Sequence, residues 1–272
     1  MGDAPVRLTL EELYGAWNAV PDTFWETLDH SHSPRSREML YDKMAALDCA
    51  PGHHVLDIGC WAGKHSCELA RRFGCRVEAV DYIPAHVEQA GIFVEAQGLA
   101  DLVKASQGGL HALGFPDGEF DFIWCRDMLP NVRDIRRAFV ECSRVLKPGG
   151  KMVVFTDLET ELMEPREAAR LYGDAMWAES MSPGSVESAI RSAGLVILER
   201  DEVAAEFTEW DEEKGGDVMA TEFLRIARMM RSRDMLVTRF GRTLYEAELT
   251  GSLWYAYEVL GKIMPVVYVL SK

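Results

Sequence analysis

The run His54-Val55-Leu56-Asp57-Ile58-Gly59-Cys60-Trp61-Ala62-Gly63 leaves the backbone few choices. Val55, Leu56 and Ile58 give a short buried-strand signal, and Gly59 and Gly63 allow a turn where a side chain would block close backbone approach. From Lys64 the apolar spacing lengthens to Cys67, Leu69, Ala70 and Phe73, with Gly74 as a stop, which predicts a helix. A strand, a glycine-containing turn and a helix N-terminus together present backbone donors to a polar ligand.

The same rhythm continues along the chain. Arg76 to Asp81 reads as a second strand ending in an acid, and Pro84 opens a helix with Val87, Ala90 and Val94 inward and Gly98 as its stop. A third strand is expected at about 102 to 107. The turn Pro116-Asp117-Gly118 sets off a fourth, Phe120 to Cys125. Ile135, Phe139, Cys142 and Val145 mark a helix, Lys147-Pro148-Gly149-Gly150 breaks it, and Met152 to Phe155 makes a fifth strand. Strands alternating with helices of this length argue for a parallel, doubly wound sheet with right-handed crossovers. A helix from Ser185 to Ala193, a strand from Val196 to Leu198 and a last strand from Pro265 to Leu270 complete a seven-stranded, mostly parallel α/β sheet.

Three segments depart from the rhythm. Residues 6 to 32 carry Leu10, Leu13, Tyr14, Trp17, Phe24, Trp25 and Leu28 in an aromatic-rich helical pattern, and Ser33-Pro34 reads as the cap of a helix bearing Leu40, Met44 and Leu47. Residues 158 to 182 are acidic and helical, with Met163, Leu171, Met176 and Trp177. Residues 207 to 262 repeat Met219, Phe223, Ile226 and Met230, then Leu253, Trp254, Tyr257 and Leu260. The expected organisation is an N-terminal helical cover over 1 to 45 and one domain over 46 to 272, with cap insertions at about 158 to 182 and 207 to 262.

Charge narrows the function. Lys and Arg number 29 against 44 Asp and Glu, a net charge of −15, and no long basic run offsets it. That balance opposes a sequence-independent grip on phosphate backbones, so a nucleic-acid substrate is not expected. The cysteines, Cys49, Cys60, Cys67, Cys75, Cys125 and Cys142, form no C-x-x-C pair and fall mostly in apolar runs, which reads as reduced core thiols in a cytoplasmic protein. No apolar stretch is long enough to span a bilayer, and Met1-Gly2-Asp3-Ala4-Pro5 lacks a basic-then-apolar leader.

A dinucleotide fingerprint needs glycine at its first, third and sixth positions, and here Trp61 and Lys64 occupy the third and sixth. Nicotinamide is therefore disfavoured. Read as Asp-x-Gly-x-Gly-x-Gly, the stretch has Asp57, Gly59 and Gly63 and misses only at Trp61. In this it resembles the class I S-adenosylmethionine-dependent methyltransferases, small-molecule branch, and so do the approach to the fourth strand from Gly108 to Asp121 and the signature Arg144 to Gly150. The resemblance covers residues 45 to 157 and implies a Rossmann-like methyltransferase fold with S-adenosyl-L-methionine as cofactor. It also implies that Asp81 accepts both ribose hydroxyls and that Asp57, Gly59, Cys60, Trp61 and Gly63 form the cofactor turn. Gly109 stands where relatives often carry an acid for the adenine amino group, so adenine is expected to pack on Tyr82 and Leu110. Cys125 and Arg126 end the fourth strand beside the cofactor, and Tyr14 is placed to fold over it. Trp61 either packs or walls the cofactor.

The cofactor's sulfonium is already an activated electrophile, so the protein needs to align a nucleophile, exclude water and, where required, remove a proton. No metal is needed. Candidate groups are His30 and His32 from the cover, Glu164 or Glu167 from the first insertion, and Asn131 beyond the fourth strand, which can hydrogen-bond the acceptor. The aromatic and methionine residues of the cover and insertions suggest an enclosed, largely apolar pocket. The expected activity is methyl transfer to O, N or C of an apolar small molecule of lipid, quinone or secondary-metabolite type. The alternatives are a cyclisation coupled to or replacing methylation, and a catalytically silent scaffold subunit. A homo-oligomer is compatible with the sequence.

Overall fold

The computed structural model describes residues 7 to 29, 35, 36, 38 to 172, 176 to 215 and 218 to 272, the side chain of Val218 excepted. The chain divides into two units, 1 to 34 and 35 to 272. The first contains α1 (Leu10–Asn18) and α2 (Asp22–Leu28), neither of which buries a residue. Thr9 caps α1 through a capping box with Glu12, and the rings of Tyr14 and Trp17 meet edge-on at 5.3 Å. His30, His32 and the Ser33-Pro34 cap lie outside the described residues.

In the second unit the elements run α3 (Met39–Ala46), β1 (His54–Ile58), α4 (Lys64–Phe73), β2 (Arg76–Asp81), α5 (Pro84–Ala96), β3 (Val103–Gln107) and β4 (Phe120–Arg126). After a short 3-10 turn at Leu129–Asn131 come α6 (Ile135–Val145), β5 (Leu146–Glu159), α7 (Pro165–Leu171), α8 (Ala178–Met181), α9 (Pro183–Ser192) and β6 (Val196–Glu202). The chain ends with α10 (Glu206–Glu213), α11 (Val218–Arg231), α12 (Arg233–Phe240), α13 (Arg242–Val259) and β7 (Ile263–Ser271). The helix expected to belong to the cover, α3, instead buries Leu40, Tyr41 and Met44 in the core of this second unit.

The seven strands form one sheet in the order β3-β2-β1-β4-β5-β7-β6. β7 runs antiparallel to β5 and β6, and the other neighbours are parallel. Alternation along the strands makes two cores. Leu56, Ile58, Ile123 and Val154 face α6 and α9, while Val55, Trp124, Val153 and Val267 face α3, α4 and α5. A third, smaller core forms around Leu171, Met181, Tyr245, Leu249, Leu253 and Ile263. The chain order reverses between β1 and β4, and open α/β sheets bind ligands at that switch point, beyond the carboxyl ends of the strands.

Candidate active site

At the switch point the turn after β1 is built on hydrogen bonds to β2. The amides of Gly59 and Cys60 both donate to the Val80 carbonyl, at 2.8 and 3.1 Å, and the Gly63 amide donates to the Cys60 carbonyl at 2.8 Å. Gly59 and Gly63 take φ of +80° and +73°, which glycine adopts without steric penalty. At Gly63 a Cβ would also stand 3.1 Å from the Ala90 Cβ, so α5, and not a ligand, reserves that position for glycine. Trp61 has φ +45°, a left-handed conformation costly for a bulky residue, at the place where the resemblance has its middle glycine. Its indole is exposed.

Asp57 does not face the turn's outer surface. It is 2% exposed and accepts a hydrogen bond from the Ser66 hydroxyl at 2.5 Å, bracing the first turn of α4 against β1. Burial pushes its carboxyl up to about 7, with the Ser66 hydrogen bond opposing and the nearby Asp81 charge adding to the rise. Cys60 and Cys125 are buried thiols raised above their ordinary range by desolvation, and their side chains belong to the two cores. Leu110, expected against adenine, turns its side chain into the core beside Val80.

Asp81 is the polar group at the end of β2. Its Oδ2 accepts the Trp61 amide at 3.0 Å, and its Oδ1 accepts the Ile83 amide at 2.9 Å and faces His86 Nδ1 at 3.2 Å. A carboxylate oxygen has two acceptor sites, so Oδ2 keeps one and Oδ1 recovers one only when His86 swings aside. The bidentate diol contact expected from the sequence therefore has a local competitor. Around this carboxylate stand the exposed rings of Trp61 and Tyr82 and the bare backbone of Gly108 and Gly109, where a Cβ on Gly108 would collide with Val80. A fixed carboxylate, open aromatic faces and glycine backbone fit a nucleoside with a vicinal diol.

Two and three strands from β2, beyond β4 and β5, lies a cavity of about 420 Å³. Its walls include Phe155, Phe207, Trp254 and Pro265, as the expectation of an apolar pocket requires, but also Asp127, Asp157, Asp211, Glu212 and Glu258. Among the described residues its one basic lining residue, Arg126, faces Asp127 with Nε at 3.1 Å and donates from Nη1 to His65 Nε2. His65 Nδ1 meets the Tyr41 hydroxyl at 2.6 Å, the pattern of a neutral imidazole with its proton on Nδ1. Asp127, directly after β4, has φ +54°, so left-handed non-glycine residues occur in the turns after both β1 and β4.

Asn131 lines the cavity, as its position after the fourth strand suggests. Glu164 does not. It is the N-cap of α7, where its side chain and that of Glu167 close a reciprocal capping box, and Glu167 also pairs with Lys262. These acids are committed to a helix end. Tyr14 belongs to the first unit and His30 lies outside the described residues. Sequence reasoning misses the acids that the cavity does hold. Asp157 sits in the extension of β5 past the apolar run, its Oδ2 accepting the Trp254 indole N–H at 2.8 Å, and Glu258 is a turn further along α13 from Trp254. Desolvation, together with the neighbouring Asp127 charge, pushes both carboxyls well above the usual range.

A doubly wound sheet with a carboxylate ending β2 and a cavity beyond β4 and β5 defines a nucleoside-binding α/β enzyme fold. Residues 56–154 match the methyltransferase domain family, and the fold around them is the Rossmann-like fold of the class I S-adenosylmethionine-dependent methyltransferases. It is 32% identical over 162 residues to a sterol 24-C-methyltransferase of Gibberella zeae, covering 57% of this chain and 42% of that protein. It is 23% identical over 244 residues to a glycine/sarcosine/dimethylglycine N-methyltransferase of Actinopolyspora halophila, covering 88% of this chain and 41% of that protein. The chain thus spans about two-fifths of the length of these two relatives. Among solved structures, the [4+2]-cyclase SpnF shares the fold with a TM-score of 0.64 at 19% identity, over 88% of this chain and 84% of that one.

Proposed function

We propose that the chain is a methyltransferase that transfers the methyl group of S-adenosylmethionine to O, N or C of a small organic molecule. The observation that carries this is the Asp81 carboxylate, fixed by the Trp61 and Ile83 amides at the end of β2 within a matched methyltransferase domain, on the same sheet edge as a cavity of small-molecule size beyond β4 and β5. S-adenosylmethionine, when bound, supplies an activated methyl on a sulfonium. Asp81 would hold the ribose, Tyr82 and Gly109 would border the adenine, and the turn from Gly59 to Gly63 would carry the methionine end. Trp61 would wall that end. Phe155, Phe207 and Trp254 exclude water from the acceptor's side, and Asn131 offers it a hydrogen bond at the cavity edge. Asp157 or Glu258, held near neutral pH by burial, is suited to take up a proton there.

The test is calorimetry with S-adenosylhomocysteine. Replacing Asp81 by asparagine keeps the shape but removes the charge, and hydrogen bonds to a charged acceptor are worth roughly 1.5–3 kcal/mol each. Asp81→Asn should therefore weaken binding by about tenfold or more. Unchanged affinity in that variant would remove Asp81 from the cofactor site. Turnover is read as a product heavier by one CH₂, whereas a cyclisation adds no mass.

A further inference from the structure

We propose that the cavity beyond β4 and β5 receives an organic ammonium group, so that the acceptor is an amine entering as a cation. The word acceptor rests on the methyl-transfer reading; the site itself rests on the cavity.

Asp157 is 9% exposed, and one of its two oxygens, Oδ1, has no partner among the described residues. A buried carboxylate oxygen without a donor is costly, and a ligand that supplies the donor relieves that cost. Around it the charge is lopsided. Among the described residues five carboxyl groups line the cavity against the guanidinium of Arg126, and that guanidinium is engaged by Asp127 and His65. Desolvation and neighbouring carboxylates raise the Asp157 and Glu258 carboxyls; a bound cation opposes both effects and favours their ionised forms, a neutral donor opposes only the desolvation, and an anion adds to the repulsion.

The walls favour an organic cation over a metal ion. Among the described residues no three His, Cys, Asp or Glu side chains gather in a way that could hold a metal. Instead the rings of Phe155, Phe207, Trp254 and Tyr255 border the same space, and aromatic faces attract ammonium groups by their quadrupole, most strongly where water is excluded. Trp254 serves both parts, since its indole N–H orients Asp157 while the ring forms wall. At about 420 Å³ the cavity admits a small amine with its carbon body.

The experiment uses the full chain with three matched probes, 2-phenylethylamine, 2-phenylethanol and phenylacetate, followed by Trp254-sensitive fluorescence and by calorimetry. The amine should bind saturably and about tenfold or more tighter than the alcohol, as a charge-assisted contact requires, with the carboxylate weakest. Asp157→Asn should abolish that preference while leaving S-adenosylhomocysteine affinity unchanged. Glu258→Gln, which reduces the same charge from α13, should reduce the preference without removing it. Equal binding of amine and alcohol, tighter binding of the carboxylate, no saturable amine binding, or an undiminished preference in Asp157→Asn would each overturn the proposal. Amine binding without any S-adenosylhomocysteine binding would leave the ammonium site standing and sink the methyl-transfer reading.

Discussion

Trp61 and Asp57 are two residues of one turn under different strains. Trp61 holds φ +45°, where an L-residue costs roughly 1–2 kcal/mol and glycine almost nothing. Glycine adds back about 0.5–1 kcal/mol through the freer unfolded chain. Trp61→Gly should thus raise stability by up to about 1 kcal/mol, read as a higher urea midpoint at constant slope; a lower midpoint would mean that the exposed indole makes a stabilising contact that its exposure hides. Asp57 carries an electrostatic strain. Its carboxyl rises from 3.8 in the free side chain to about 7 in the fold, so between those values the folded chain holds a proton that the unfolded chain has released. Stability contributed by that proton is present below about pH 4 and is lost as pH rises through about 7. Asp57→Asn has no such proton and can still accept from Ser66. Its melting temperature relative to the parent should be more favourable at about pH 8 than at about pH 5, and a difference independent of pH would show that Asp57 is not the titrating group. The motif containing both residues is legible in the sequence, but their strains are not. Letters show that Trp61 replaces a glycine, whereas only backbone geometry shows that the turn still demands the left-handed conformation.

At the scale of elements, the strands announce themselves because each apolar run is short and bounded by glycine, proline or an acid. The register then follows, with Ile58 opposite Val80 and Cys125, which brings Asp81 beside the glycine turn. The acceptor cavity is harder to read. Asp157 and Glu258 are far apart in the chain and meet because β5 pairs antiparallel with β7, placing Asp157 opposite Pro265 just after α13. Nothing local signals that pairing. Glu164 and Glu167, the acids singled out from the stretch 158 to 182, cap α7 or pair with Lys262, while the cavity draws Asp127 and Asp157 from the ends of β4 and β5 and Asp211, Glu212 and Glu258 from α10 and α13. α13 explains how the cavity wall is held. Tyr245, Leu249, Leu253 and Tyr257 recur at helical spacing and fill the third core, Ser252 donates to Glu222 of α11 at 2.5 Å, and Trp254 and Glu258 face the cavity. Leu249 is fully buried there. Leu249→Ala should cost about 2–5 kcal/mol. Because this core is separate from those against the sheet, hydrogen exchange should accelerate across α11 to α13 before β1 to β5 respond. Uniform acceleration over the sheet would show instead that the three cores unfold as one unit.

For the whole molecule, the net charge of −15 works in the same direction as the carboxylates of the cavity. A field of that sign concentrates cations near the surface and repels anions, and its reach shrinks as salt shortens the screening length to about 10 Å at 0.1 M. The same field opposes the approach of a polyanion, which meets like charge. The field bears on the cofactor cycle proposed for the chain. S-adenosylmethionine carries a sulfonium that S-adenosylhomocysteine has lost, so donor and product differ by one positive charge in the same site. The negative field favours the donor's approach and gives the product no matching hold. Added salt should therefore weaken donor binding more steeply than product binding, seen by calorimetry as two different slopes of affinity against ionic strength. A proton taken up by Asp157 or Glu258 during turnover would add to the contrast by lowering the local negative charge as product forms. Parallel slopes would mean that only short, unscreened contacts such as that of Asp81 distinguish the two ligands, and that the molecule's overall charge has no part in binding.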